Sequence, residues 1–273
     1  MLLPSQVFCR KSRATAAMLT GSGTSLICLA TEDGMFLAAD DLVYVERDGQ
    51  ALPLSKNFRK VCGVERVLIG TAGLMVHTDI KYDVQVWVRD FINTHAAALS
   101  EFPSSAAQGI FEKLKETFGP AESLVAQDVW KGYLPGDRLV NYVVAGYTKN
   151  FKRPYIFEVG VEINKNSDGF AYISPIHHHK ALPHNVRFGE DHFMERADAG
   201  IEPEHSLWAS SVDAALPNVV SAFPNIPPAF QESVACTVGC IKVEAHFNPQ
   251  KVGSEVHVVL IDRRTQASLS ATF

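Results

Sequence analysis

The pairing of short apolar runs constrains the fold of this chain more than any other feature. Ser25 to Ala30 and Met35 to Ala39 flank Asp33-Gly34, a dipeptide that favours a two-residue hairpin turn. The same succession of run, turn and run then recurs twice. The later pairs are Leu42 to Glu46 with Ala51 to Leu54, and Lys60 to Val64 with Val67 to Thr71. The first third of the chain is therefore predicted to be a β-meander.

Helical periodicity follows the meander, and strand patterns then return. Apolar residues recur at three- and four-residue spacing from Ile80 to Ile92, and again from Ser104, a candidate N-cap, to Phe118. Both segments are predicted to be helices. The next predicted strands are Leu139 to Tyr147, Tyr155 to Val161 and Phe170 to Ile173.

The C-terminal third contains two more helical patterns and a final hairpin. The first helical pattern, Leu207 to Phe223, is interrupted by Pro217, and the second covers Phe230 to Phe247. Val256 to Ile261 and Ala267 to Phe273 then form the hairpin. No repeat or linker divides the chain, so we expect one α+β domain. Two mainly antiparallel sheets with helices on both outer faces, a four-layer αββα sandwich, satisfy this order of elements.

The composition excludes several classes of partner. The 273 residues are 47% hydrophobic, which is enough to bury a substantial core. A formal net charge of −5, with the 25 Lys and Arg residues scattered, gives no general attraction to nucleic acid. No apolar run is long enough to span a bilayer, so no membrane partner is expected. The odd number of cysteines, five, fits a reducing compartment, and we expect a cytoplasmic protein.

The N-terminal segment differs in character from the rest of the chain. It carries Arg10, Lys11 and Arg13 without an acidic residue, and its longest apolar stretch, Ala16 to Leu19, is too short for a secretory signal. A transit peptide, or an extension that precedes a true start at Met18, both remain compatible with this pattern.

Four motifs near the N-terminus resemble the start of a proteasome β-subunit. They are Gly23-Thr24-Ser25-Leu26, Gly34-Met35-Phe36-Leu37-Ala38-Ala39-Asp40, Arg59-Lys60-Val61 and Ile69-Gly70-Thr71-Ala72-Gly73. In that family a leader ends in glycine, the mature chain begins with threonine, an aspartate follows sixteen residues later, and a Lys-Val pair precedes a strand. The chain thus resembles the N-terminal nucleophile (Ntn) hydrolases of the proteasome type, as a divergent bacterial-type homologue. The resemblance implies a leader over residues 1–23 and one Ntn-hydrolase-like domain over 24–273.

The resemblance also implies a chemistry, that of a self-processing N-terminal-threonine peptidase. The Thr24 hydroxyl would be the nucleophile and its own α-amine the base, which requires cleavage between Gly23 and Thr24. Lys60 would be the cation that lowers the pKa values of Thr24, and Asp40 would hold Lys60 in place. An oxyanion donor would come from a backbone N–H in the Gly70 to Gly73 turn, with Gly73 the best candidate.

The position of the lysine has one alternative. Lys56 fits a count from Thr24 without gaps, whereas Lys60 fits the Arg-Lys-Val context after a short insertion. We favour Lys60, because loop length varies more easily than the context of a strand.

Two supporting motifs of the family are altered in this chain. A Gly-Ser-Gly-Ser segment is replaced by Phe188-Gly189-Glu190-Asp191, and an Asp-x-x-Ser-Gly-Gly segment by Pro249-Gln250-Lys251-Val252-Gly253-Ser254. Asn248, Ser254 and Asp191 are possible substitutes, although each also fits an ordinary polar loop. Two rival functions therefore stay open: a catalytically inactive proteasome-like scaffold or regulatory subunit, and an Ntn amidase that acts on small molecules.

The partners implied by the resemblance are a polypeptide substrate, further copies of the chain in a homo-oligomeric ring, and an unfoldase of unknown identity. No cofactor is expected. The most conspicuous histidine cluster is His177-His178-His179 with His184 and His192, but neighbours on an extended strand point to opposite faces. We favour a polar loop over a metal site there, and buried small hydrophobes over metal ligands for Cys236 and Cys240.

Overall fold

A computed structural model describes residues 20–23, 25–47, 50–78, 80–99, 103–118, 138–147, 154–162, 175–176, 184–189 and 192–273. The strands, numbered in chain order, are β1 (Thr20–Gly23), β2 (Ser25–Ala30), β3 (Gly34–Asp40), β4 (Val43–Arg47), β5 (Gln50–Ser55), β6 (Val61–Val64), β7 (Val67–His77), β8 (Tyr82–Asp83), β9 (Arg138–Tyr147), β10 (Pro154–Glu162), β11 (Pro175–Ile176), β12 (His184–Gly189), β13 (Val256–Asp262) and β14 (Ala267–Thr272). The helices are α1 (Val84–Leu99), α2 (Pro103–Phe118), α3 (His192–Asp198), α4 (Glu204–Ala222) and α5 (Pro228–Phe247).

The described strands form two sheets, and every strand pairing among them is antiparallel. The first sheet runs β11-β10-β9-β7-β1-β4-β5, and β6 and β8 also pair with β7. The second sheet runs β12-β2-β3-β13-β14. The hairpin between β2 and β3 is present, but its turn lies one residue before the predicted Asp33-Gly34, because Gly34 already belongs to β3 and its carbonyl accepts the N–H of Thr31. The Thr31 hydroxyl accepts the backbone N–H groups of Asp33 and Gly34.

Helices cover the outer face of each sheet, which confirms the predicted four-layer αββα sandwich. Helices α1 and α2 pack on the first sheet through an aromatic cluster, and α4 and α5 pack on the second. A third group of buried side chains lies between the two sheets and includes Leu26, Leu37, Leu68 and Val143. Strand β3 is buried along its whole length, because it is central in its sheet and covered on both faces.

Several elements differ from the sequence-based expectation. The segment Gly70–Gly73 is not a turn but lies within β7, because β9 pairs with it throughout and β1 joins at Gly73. Pro217 lies inside α4 without ending it, and the proline is on the exposed side of the helix. Ser104 is inside α2, which begins at Pro103, and is therefore not its N-cap.

Several short elements were not predicted, and one prediction lies outside the described residues. Strands β11 and β12 and helix α3 were missed, because they are short and show no clear apolar period. Strand β8 lies in the segment predicted to be helical from Ile80, so that helix begins only at Val84. The predicted strand Phe170 to Ile173 falls in a part of the chain that the structure does not describe. The last four residues of the expected leader, Thr20–Gly23, form β1 in the first sheet.

The layer between the sheets gives a test of the sandwich. Leu26 is completely buried there, so we expect Leu26→Ala to lower the free energy of unfolding by about 2–5 kcal/mol through lost burial and the cavity left behind. Leu52 on β5 is 43% exposed, and Leu52→Ala should change it by less than about 0.5 kcal/mol. Urea denaturation measures both, and equal effects would contradict this packing.

Candidate active site

A buried ion pair between Asp40 and Lys60 lies at the centre of the candidate site. The Lys60 Nζ is 2.6 Å from Asp40 Oδ1, and both side chains are completely inaccessible to solvent. Asp40 is the last residue of β3, and Lys60 directly precedes β6, so the pair joins the two sheets. The backbone carbonyl of Lys60 accepts the N–H of Thr71 on β7, which fixes the lysine from its main chain as well.

The Asp40 carboxylate accepts three backbone N–H groups in addition to the lysine. Ser25 donates to Oδ1 at 2.9 Å, while Leu42 and Gly253 donate to Oδ2 at 3.0 and 2.9 Å. These donors come from the start of β2, the turn after β3 and the loop after α5. Together with Lys60, the carboxylate has four donors, and three of them, Ser25, Lys60 and Gly253, come from distant parts of the chain.

The neighbouring aspartate, Asp41, holds the segment that leads to Lys60. Its carboxylate accepts the N–H groups of Asn57 at 2.9 Å and Glu255 at 3.3 Å, and its backbone carbonyl accepts the N–H of Phe58. Sequence reasoning missed Asp41, although two consecutive acids that follow a fully apolar strand are an unusual signal. Asp41 therefore contributes to the position of Lys60 through its bonds to Asn57 and Phe58, while Asp40 contacts the lysine directly.

The environment of Lys60 opposes its positive charge. Burial lowers the pKa of Lys60, and the charges and hydrogen bond of Asp40, together with Asp41, counteract this only in part. The ammonium thus depends on its carboxylate partners to stay charged. Lys56, the alternative from the sequence, is exposed on the surface and is not buried with Asp40.

Gly73 and Gly23 lie on the first sheet, whereas Ser25 begins β2 of the second sheet and contacts Asp40. Gly73 has a φ of +86°, and a Cβ there would be 2.6 Å from the carbonyl oxygen of Leu139, so a glycine is required. It pairs with Gly23 of β1. Thr24 itself lies outside the described residues, between Gly23 at the end of β1 and Ser25 at the start of β2.

The two altered family motifs are also located near this site. Gly189 of β12 pairs with Ser25, the residue after Thr24, while Asp191 lies outside the described residues. In the loop after α5, the N–H of Gly253 contacts Asp40, whereas Ser254 is exposed and Asn248 is the C-cap of α5. The second loop thus reaches the ion pair through its backbone rather than through a polar side chain.

A cavity of about 710 Å³ extends from Lys60 along β6 and β7. Residues of α1, β13 and β14 also line it. The cavity is lined by Arg59, Lys60, Val61, Cys62, Gly63, Ile69, Thr71, Val84, Gln85, Val88, Arg89, Ile92, Asn93, Val259, Ser268, Leu269 and Ser270. Burial raises the pKa of the Cys62 thiol to about 12, so this thiol is protonated at neutral pH and is a poor nucleophile.

The other candidate sites from the sequence are not assembled in the described part of the chain. No group of three His, Cys, Asp or Glu side chains within it could hold a metal ion. His184 lies on β12 and His192 begins α3, while His177–His179 fall outside the described residues. Cys236 and Cys240 lie on α5, where Cys240 is buried and Cys236 is partly buried. None of the described helices is both long and apolar enough to cross a membrane.

The ion pair predicts a large and pH-dependent effect of Asp40→Asn. This change leaves a buried ammonium without its counter-ion, so the free energy of unfolding should fall by about 3–5 kcal/mol at pH 7. Lys60→Met in the same chain should restore part of the loss. The loss should shrink as the pH rises toward about 10.4, the pKa of a lysine in the unfolded chain. In this range Lys60 must release its proton when the variant folds, and the cost of that release falls as the pH rises.

An exposed ion pair gives the matched control in the same urea denaturation. Glu112 and Lys115 lie 3.1 Å apart with both side chains about half exposed, so Glu112→Gln should cost less than about 1 kcal/mol. If Asp40→Asn costs no more than Glu112→Gln, the Lys60 ammonium is solvated and the buried ion pair is not formed.

Comparison with known proteins gives matches among solved structures. No protein-family model and no curated protein matches the sequence. The structure is similar to Anbu, described as an ancestral beta-subunit, from Yersinia bercovieri, with a TM-score of 0.53, 12% identity, and 91% of this chain and 86% of that chain covered. For the Gly-1 mutant of Anbu from Hyphomicrobium sp. strain MC1, the TM-score is 0.52 and the identity 15%, with 92% of this chain and 87% of that chain covered. For the helical assembly of the Anbu complex from Pseudomonas aeruginosa, the TM-score is 0.52 and the identity 12%, with 92% of this chain and 86% of that chain covered. At these identities the likeness shows the fold alone, which is the fold of the Anbu structures.

Proposed function

We propose that this chain is a self-processing hydrolase that cleaves peptide bonds with Thr24 as its N-terminal nucleophile. The observation that carries the proposal is the Asp40 carboxylate, which holds both the Lys60 ammonium and the N–H of Ser25 on one oxygen. Ser25 is the residue after Thr24, so the cation and the start of the mature chain are tied to the same point. Residues 1–23 would be the leader and residues 24–273 the catalytic domain.

The roles at this point follow from the chemistry of a terminal threonine. A hydroxyl is a weak nucleophile until a base takes its proton, and a free α-amine, with a reference pKa of about 7.7–8.0, is suited to that task near neutral pH. The positive charge of Lys60 favours the deprotonated hydroxyl and the neutral amine. While Gly23 is attached, the nitrogen of Thr24 is an amide and cannot act as a base.

Removal of the leader would use the same hydroxyl. The oxygen of Thr24 attacks the carbonyl carbon of Gly23, the bond from that carbon to the Thr24 nitrogen breaks, and the nitrogen takes up the hydroxyl proton. Water then hydrolyses the resulting ester. The leader departs with a carboxylate at Gly23, and Thr24 regains its hydroxyl together with a free amine. Gly73, with its left-handed backbone opposite Gly23, is our candidate for the oxyanion N–H.

The placement of β1 supports a polypeptide as the substrate. This strand, which ends at the proposed cleavage point, lies between β7 and β4 and pairs with both in antiparallel fashion. Departure of the leader would expose the hydrogen-bonding groups of two strands that face each other across one strand width. An extended peptide fills such a gap with its backbone, as in recognition by strand addition. A small amide offers too few backbone groups to do so, which disfavours the amidase alternative.

The inactive-scaffold alternative is favoured by the altered Phe188-Gly189-Glu190-Asp191 segment and by the absence of an aspartate and a serine at the family positions in the loop after α5. The N–H of Gly253 nevertheless joins that loop to Asp40, which supports an intact positioning network.

We also propose that the chain assembles with copies of itself, since the Anbu complex from Pseudomonas aeruginosa forms a helical assembly. We propose further, from the resemblance in the sequence, that the copies form a ring, that an unfoldase is a partner and that the protein is cytoplasmic.

The mass of the purified protein tests self-processing. We expect the wild type to lose residues 1–23 and to begin at Thr24, because the nucleophile and its cation are in the same chain. Thr24→Ala should stay at full length, whereas Thr24→Ser keeps a hydroxyl and should still be processed. Ser25→Ala is the matched control and should be processed as well. Wild type that stays at full length, or Thr24→Ala that is cleaved at the same bond, would contradict the proposal.

Backbone recognition gives a second test, on processed protein. We expect a fluorogenic peptide with four residues on the acyl side of the cleaved bond to be hydrolysed with a higher kcat/KM than a one-residue amide that carries the same leaving group. Methylating the backbone nitrogens of the acyl-side residues one at a time should lower kcat/KM by about tenfold at one or more positions, because a strand hydrogen bond is lost. A one-residue amide that is hydrolysed as well as the peptide would instead support the small-molecule amidase.

A further inference from the structure

A buried histidine on β13, His257, lies next to the candidate site. It shares one face of the strand with Val259 and Ile261, which both pack in the layer between the two sheets. Its partner on β3 is Ala39, the residue that precedes Asp40. Only 8% of the histidine is exposed. An ionisable ring is thus placed inside the sandwich, beside the strand end that supplies the buried carboxylate.

The hydrogen bonds of this ring are complete on one side only. Nδ1 of His257 lies 2.9 Å from the Thr272 hydroxyl of β14, whereas Nε2 is inaccessible to solvent and has no hydrogen-bond partner in the described part of the chain. A protonated imidazole is a donor at both nitrogens, and an unpaired charged donor costs more than an unpaired neutral acceptor. Protonation of His257 therefore requires an acceptor that the present arrangement does not supply.

Charged groups act on His257 from both sheets. Arg59 and Lys60, which precede β6, oppose its protonation, while Asp41 after β3 and Glu255 before β13 favour it. Strand β14 has no ionisable side chain, and β3 has none before its final aspartate. Burial has the largest effect and the charge of Arg59 the next, so the pKa of His257 is lowered from its ordinary value of 6.5. The ring is therefore neutral at pH 7.

Asp41 is the acid that a protonated ring would recruit. Its charge favours the protonated form more than that of Glu255 does, and Asp41 is buried whereas Glu255 is exposed. The Asp41 carboxylate already accepts the N–H groups of Asn57 and Glu255. A charged imidazole competes for the same two oxygens, because it carries a full charge of opposite sign. A carboxylate oxygen that turns toward His257 releases part of the segment that leads to Lys60.

We propose that His257 is a positioning residue that makes the candidate site respond to pH. This inference rests on the proposed function and adds a means of regulation to it. As a neutral ring, His257 leaves Asp41 bonded to Asn57, and the approach to Lys60 is held. As a protonated ring, it draws on Asp41 and adds a positive charge to those of Arg59 and Lys60, so the approach loosens. The site is then aligned at neutral pH and loses its alignment in acid.

Titration of the full chain tests this coupling without an assay of activity. The protonation of His257 is followed in ¹H–¹⁵N spectra of its ring, and the backbone signals of Asn57 and Glu255 are recorded on the same samples. We expect the ring to titrate below pH 6.5 and both backbone signals to move with the same midpoint. That midpoint should disappear in His257→Gln. His246→Gln removes an exposed histidine of α5, and this matched control should leave the midpoint unchanged.

The pH profile of the processed protein tests the effect on the reaction. Below the pKa values of both groups, kcat/KM of the wild type should fall by about a hundredfold per pH unit, because the α-amine of Thr24 and His257 must both be unprotonated. In His257→Gln only the amine remains, and the fall should be about tenfold per pH unit. His246→Gln should keep the wild-type slope.

The outcomes separate this role of His257 from the proposed function. Backbone signals that do not follow the ring, or hydrolysis that falls about tenfold per pH unit in wild type and His257→Gln alike, would overturn the role and keep the function. Backbone signals that follow the ring, in a chain that hydrolyses no peptide at any pH, would keep the pH response and overturn the function. If neither occurs, both are wrong. The wild-type titration needs no substitution, so it decides the first point even if His257→Gln does not fold.

Discussion

The Asp40 carboxylate is the interaction on which the rest of the site depends. A buried carboxylate is costly unless its charge is matched, and here one ammonium and three backbone N–H groups match it. Because those donors come from different parts of the chain, the cost of burial is offset only when all of them arrive together. The electrostatic requirement of one side chain thus fixes where β2 begins, where Lys60 lies and how the loop after α5 returns to the sheet.

The sandwich provides the setting in which this carboxylate can work. The second sheet supplies Asp40 from a strand that is buried on both faces. The first sheet supplies Lys60, which directly precedes β6, the strand that pairs with β7. Neither sheet holds the ion pair alone. Packing of the two sheets therefore determines the distance between the charges, and a change in the layer between them acts on the site as well as on stability.

Much of this could be predicted from the sequence, for reasons that differ between elements. The hairpins have paired apolar runs, and α1 and α2 have clear periodicity, so both kinds of element were predicted. The local context of Lys60 separated it from Lys56. The contacts of Gly253 and Asp41 could not be predicted, because they use backbone N–H groups whose position depends on the tertiary fold rather than on residue type. Strand β12 is defined by its partner β2, and its own sequence carries little signal.

The position of β1 has a consequence for the integrity of the first sheet. Among the described strands, β4 and β5 are linked to the rest of that sheet only through β1, a segment that the proposed reaction removes. The mature protein would then contain an interrupted sheet, and a bound peptide would make it continuous again. Ligand that binds the folded state alone stabilises it by mass action. A substrate of such an enzyme is therefore also a temporary part of its architecture, and each turnover would open and close the sheet once.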